Sequence, residues 1–110
     1  MKLPHAEHAQ IEARKIRDYL LSPTHPLGRF KAAFFRTLGY TQENWERLVQ
    51  DLKEQHLVLD VKEVEETAYG RKYSIEGPLV GPNGRSALVV SVWIVEEGEE
   101  VPRFVTAYPA

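Results

Sequence analysis

The sequence contains no cysteine. That single absence removes disulfides, thiolate nucleophiles and Cys-type zinc sites together, and it agrees with a reducing compartment. Long apolar runs are also missing. The longest, ALVVSVWIV at 87–95, has nine residues, whereas a membrane-spanning helix needs about 20. The opening MKLPHAEHAQ lacks the apolar block of a signal peptide. These absences predict a soluble, cytoplasmic domain. Strong net charge is lacking too: the chain sums to −2 at pH 7, which argues against general nucleic-acid binding by the whole surface. No phosphate-binding glycine loop, dinucleotide fingerprint, catalytic-serine elbow or zinc motif occurs.

What is present describes one ordinary folded domain. A chain of 110 residues, 43% hydrophobic and 27% charged, can bury a modest core without a metal or disulfide, and has no room for a second core. Its charges are unevenly spread. Residues 14–36 hold Arg14, Lys15, Arg17, Arg29, Lys31 and Arg36 against Asp18 alone. Residues 42–66 hold Glu43, Glu46, Asp51, Glu54, Asp60, Glu63, Glu65 and Glu66 against Arg47, Lys53 and Lys62. The near-neutral sum hides either one basic face or a solvated mixture of charges.

Hydrophobic periodicity divides the chain into a helical first half and a strand-rich second half. EARKIRDYLLS sets Ile16, Tyr19 and Leu20 at helical spacing before SPTHP stops the helix. Pro26 suits the first turn of a second helix, which is expected to bury Phe30, Ala33, Phe34 and Leu38 and to stop at Gly39. A third helix opens near Thr41 with Trp45, Leu48, Val49 and Leu52 on one stripe. Next, LVLDVKEVEETAYG holds a partly alternating strand, RKYSIEG a short one, and GPNG a turn. RSALVVSVWIV is apolar on both faces and belongs inside a sheet, EEGEE closes a hairpin, and PRFVTAYP is the last strand. The expected architecture is an α+β domain with three N-terminal helices packed on a four-stranded antiparallel sheet.

Candidate chemistry gathers around two stretches. His25 stands just before the proline-started helix, where backbone N–H groups and the helix dipole favour an anion. Arg29 follows one turn later on the same side and Lys31 reaches it at an angle. A phosphate at that helix start would meet an acid–base group and two cations; otherwise His25 is a capping residue followed by two exposed cations. In RFVTAYP, strand alternation places Phe104, Thr106 and Tyr108 on one face and Arg103, Val105 and Ala107 on the other. Thr106 and Tyr108 would then lie roughly 6.5 Å apart, able to donate to one phosphodiester, or serve simply as good strand residues. Arg85, just after GPNG, is a third anion contact or an exposed arginine. His5 and His8 lack the companions of a metal site and belong in solvent. His56 is expected to complement a helix dipole, and Glu63, Glu65 and Glu66 to form an exposed strand face.

The stretches KLPHAEHA, YLLSPTHPLGRFKAAFF, LGYT, YGRKYSIEGPL, PNGR, VWIV and PRFVTAYP together resemble a small bacterial domain family of this layout without settled activity. The layout is more distantly similar to the ribonuclease toxins grouped around barnase, EndoU, the tRNA-cutting colicins and RelE. That resemblance implies RNA cleavage without a metal or other cofactor. It implies His25, Lys31, Thr106 and Tyr108 as catalytic residues and Arg29 and Arg85 as phosphate contacts. His25 would take the 2′-OH proton, Lys31 and an arginine would neutralise the phosphoryl oxygens, and Thr106 or Tyr108 would donate to them or to the leaving oxygen. The implied partners are RNA and a cognate antitoxin protein. The second strand histidine of the better-behaved members is lacking here. A different class stays open: a non-enzymatic antitoxin or immunity-like module, working through the acids of residues 60–66 and VEEGEE. A small-molecule enzyme finds no cofactor signal.

Overall fold

Helices fill the first half of the chain and strands the second, giving an α+β fold of three helices and one four-stranded antiparallel sheet. The computed structural model describes residues 1–110. Helix α1 is an α-helical turn, Ala13–Lys15, that widens into a π-helical segment, Ile16–Leu20. Helix α2 is Arg29–Arg36. Helix α3, Trp45–Asp51, is entered by a 3-10 turn, Gln42–Asn44, and continues as a π-helical segment, Leu52–His56. At α3 the Thr41 N–H donates to Asn44 Oδ1 at 2.7 Å, a side-chain cap at the residue expected to open the helix.

The strands are β1 (Glu63–Thr67), β2 (Gly70–Val80), β3 (Ser86–Glu96) and β4 (Arg103–Pro109), paired in chain order as a meander. β3 lies inside the sheet, as its two apolar faces require. The second strand runs on through Gly77 and Pro78 to Val80, longer than RKYSIEG alone. Residues 57–61 stay outside the first strand: 57–59 form a turn with Leu59 against Gly77, and Asp60 bridges to Lys2. The core lies between helices and sheet: Ile16, Leu20, Phe35, Leu48 and Leu52 meet Ile75, Leu79, Val89, Trp93 and Phe104.

Two expected faces are corrected. Helix α2 turns Ala32 and Phe35 into the core with Phe34 half-buried against it, and Leu38 is buried just past the helix as expected, while Ala33 is exposed and Phe30 is 71% exposed. At the start of the helix Gly28 lies so close to the Tyr19 carbonyl that any Cβ would collide with it, an approach that packs this face of the turn against α1. In β4 the pairing shifts between Val92 and Trp93, which face Thr106 and Phe104 respectively and leave Val105 as an extra residue. This bulge buries both Phe104 and Ala107 and ends the expected Phe104–Thr106–Tyr108 face.

His56 is also corrected: it is wholly buried and does not serve a helix dipole. Trp93 Nε1–H donates to Ser91 Oγ at 3.0 Å, Ser91 Oγ meets His56 Nδ1 at 2.7 Å, and His56 Nε2 meets the Gly77 carbonyl at 3.2 Å. The carbonyl can only accept, so Nε2 carries the proton and Nδ1 accepts from the serine hydroxyl. Every polar atom of this neutral chain is satisfied. Burial holds the imidazole pKa below its ordinary 6.5 although the Gly77 bond pulls the other way. The unfolded chain therefore binds the extra proton more readily, so this stability is complete above pH 6.5 and is lost as pH falls toward the lowered folded value. Denaturant unfolding between pH 7.5 and 5 is expected to show that loss, and His56→Gln to flatten it.

Candidate functional site

Arg14, Lys15, Asp18, Tyr19, His25, Lys31, Val105 and Thr106 line an open cleft of about 530 Å³ where α1, the start of α2 and β4 meet. The loop SPTHPLG shapes one wall through side-chain caps. Ser22 Oγ accepts the His25 N–H at 3.1 Å and the Thr24 N–H at 3.4 Å. His25 Nδ1 then accepts the N–H groups of Leu27 at 3.0 Å and Gly28 at 3.1 Å, and the His25 carbonyl takes the Arg29 N–H at 3.0 Å to start α2. The amides at this helix start are therefore satisfied by the imidazole, and the expected backbone anion site is already filled. Two donors aimed at Nδ1 leave the proton on Nε2. His25 is thus a fixed donor, and accepting a proton at Nδ1 would require giving up both amide bonds.

Lys31 supplies the centre of the cleft. Its Nζ donates to Tyr19 Oη at 2.9 Å and to Thr106 Oγ1 at 3.1 Å, and lies 5.2 Å from the Tyr19 ring centroid. An ammonium has three N–H groups, so one remains for a ligand. The two hydroxyls, having accepted from Lys31, keep their own O–H groups to donate. Tyr19 also meets the His25 ring edge-on, with centroids 5.0 Å apart. Four side chains thus present donors to one space, an arrangement that suits an anion.

The surrounding charges favour the same ligand. Asp18, the only acid lining the cleft, is gripped by Arg17 through two bonds of 2.8 and 2.9 Å, which lower its pKa. Lys15 and Lys31 have no carboxylate partner. Glu12 bridges Arg14 at 2.8 Å and Arg103 at 2.9 Å, tying α1 to β4, and those bonds draw its pKa from 4.5 to about 2. No group of three or more His, Asp or Glu side chains is gathered to hold a metal ion.

Of the six residues singled out from the sequence, His25, Lys31 and Thr106 come together. Tyr108 lines a separate groove with Lys62, Glu63, Ser74, Glu76 and Val90. Arg29 leaves the cleft to stack on Phe30, its Cζ 4.7 Å from the ring centroid. Arg85 belongs to the β2–β3 turn, which is pinned to the far end of α2 by Asn83 Nδ2 donating to the Thr37 carbonyl at 3.0 Å. Sequence reasoning missed Tyr19 as a site residue because it reads as one more apolar position of α1. Its spacing to Lys31 is 12 residues, a contact only tertiary packing creates.

His25 can be separated into cap and donor by substitution. His25→Ala is expected to cost about 1 kcal/mol for the lost cap. His25→Asn, whose carbonyl oxygen can take the same amides, is expected to recover most of it in denaturant unfolding. Any activity that Asn leaves missing then belongs to Nε2–H.

The family model described as Domain of unknown function (DUF6883) matches residues 2–110. The chain belongs to that family. No curated protein matches this DUF6883 domain. In fold it is similar to a chain of a contact-dependent growth inhibition toxin–immunity protein complex from Klebsiella pneumoniae 342. The two are 21% identical, with a TM-score of 0.62 over 91% of this chain and 98% of that one. At that identity the likeness concerns the fold, which the DUF6883 chain shares from its helices through its sheet. No helix of the domain is long and apolar enough to cross a membrane.

Proposed function

We propose that this domain is an RNA-cleaving toxin domain that needs no metal, with the α1–α2–β4 cleft as its site. The observation carrying this reading is the convergence of Lys31, Tyr19, Thr106 and His25 as donors with Lys15 beside them. The fold likeness to a chain of a toxin–immunity complex supports it. In this reading the ribose 2′-OH attacks the adjacent phosphorus and the bond to the 5′-oxygen breaks. Lys31 neutralises the charge building on the phosphoryl oxygens, Tyr19 and Thr106 donate beside it, and His25 adds its Nε2–H. His25 acts as a donor rather than the base: the 2′-OH proton leaves to water, the departing 5′-oxygen takes a proton from water, and a 2′,3′-cyclic phosphate remains. Tyr108, Arg29 and Arg85 take no part at the scissile phosphate. A cognate immunity or antitoxin protein is the expected companion.

The test is cleavage of total RNA by the purified domain in chelator, beside the same assay on 2′-O-methyl RNA. Cleavage of the first alone fits the reading; cleavage of neither, or of both, ends it. A second reading, an immunity-like binding module, is favoured by the acidic end of the sheet. There Glu66, Glu96, Glu97 and Glu99 line one groove at the β1–β2 and β3–β4 turns, Glu66 being paired with Arg71 and the other three left without a cation. Growth arrest on expression that disappears with Lys31→Ala favours the toxin. Silence on expression, with tight binding of a basic protein through those glutamates, favours the module.

A further inference from the structure

Phe30 and Leu27 stand out at the start of α2, 71% and 72% exposed. Neither lines the cleft itself, but Phe30 is the residue before Lys31 in α2, and Leu27 precedes the pair in the turn that leads into the helix. The Arg29 guanidinium lies over the Phe30 ring at 4.7 Å, while most of the ring stays open to solvent. A lone exposed aromatic needs no explanation. An aromatic backed by an arginine and one residue from Lys31, which lines a cleft beside Lys15 with no carboxylate partner for either, is a different matter, because the charges call for a polyanion and the ring calls for a flat apolar face. A single nucleic-acid strand supplies both at once.

We propose that Phe30, backed by Arg29 and flanked by Leu27, is a stacking platform for an unpaired nucleobase next to the phosphate held in the cleft. The inference rests on the RNA-cleaving reading and narrows it. The substrate is single-stranded, or opened at the site, because a paired base cannot offer its face. Stacking is sequence-tolerant, so this contact selects strandedness rather than base identity.

The test uses a fluorescent single-stranded 2′-O-methyl RNA ten-mer, which 2′-OH attack cannot cut, and the duplex it forms with its complement. Phe30→Ala is expected to bind the single strand about 5- to 150-fold more weakly, the contribution of one stacked base. Phe30→Trp is expected to restore binding, and neither variant to change affinity for the duplex. The exposed position lets both variants fold. Wild-type affinity in Phe30→Ala, with Lys31→Ala still defective, overturns the platform and leaves the cleft. No binding of either probe by the unmodified domain overturns the platform and the RNA reading together. A dimer in sedimentation that Phe30→Ala dissolves, with single-strand affinity unchanged, means that a second copy covers the ring, and this too overturns the platform.

Discussion

Lys31→Ala is expected to lower the single-turnover rate of RNA cleavage by about 10²–10³-fold, the loss usual when one preorganised charge donor is removed from a transition state. The expectation follows from where Nζ sits. It holds Tyr19 Oη and Thr106 Oγ1 from opposite ends of the sequence, so its removal loses a charge and also unfastens two hydroxyls. The cleft is open to water, which can satisfy both oxygens afterwards, so the fold is expected to lose little stability. That combination distinguishes the variant from a merely unfolded one: the unfolding midpoint stays near wild type while the rate collapses. Lys31→Arg is expected to rescue only part of the rate, because a planar guanidinium cannot direct three N–H groups as an ammonium does. A Lys31→Ala rate equal to wild type would remove the cleft from the chemistry.

The sequence made the general layout legible because period and turn chemistry are local. Thr41, Gly39 and GPNG act on their own neighbours, and the doubly apolar β3 declares its place between partners. What could not be read were properties settled between distant segments. Phe30 and Phe35 are equally apolar, and which of them faces the core depends on how α2 docks on distant segments, including the approach of Gly28 to the Tyr19 carbonyl. Alternation in β4 is regular on paper, yet the extra residue Val105 breaks it in the pairing with β3. The site shows the same division. His25, Lys31 and Thr106 were suggested by residue type and resemblance and do share a cleft. Tyr108, Arg29 and Arg85 carry the same chemistry in principle, but groove, stacking and hairpin direct them elsewhere. The tautomer of His25 depends on two amides that a sequence places nearby without saying where they aim.

Trp93→Ala is expected to have the largest effect on stability, about 3–5 kcal/mol, as for other buried tryptophans replaced by alanine. Trp93 has no solvent exposure and packs against Phe104 with ring centroids 5.3 Å apart. Its removal opens a cavity at the centre of β3 and also withdraws the indole N–H from Ser91 Oγ, the middle member of the buried chain that ends at His56. A domain of this kind has only about 5–15 kcal/mol in total, so the variant is expected to melt at least about 12 °C lower, at roughly 4 °C per kcal/mol. Trp93→Phe separates the two causes. It keeps most of the volume and loses the N–H, so a small loss assigns the effect to packing and a large one to the polar chain. The consequence reaches the cleft, because Phe104 is the residue from which the β4 bulge departs to present Thr106 to Lys31. Trp93→Phe is expected to keep that presentation and therefore to keep cleavage, measured at a temperature where the variant remains folded. Wild-type stability in Trp93→Ala would mean that the sheet and helices are held together by something other than the core described between them.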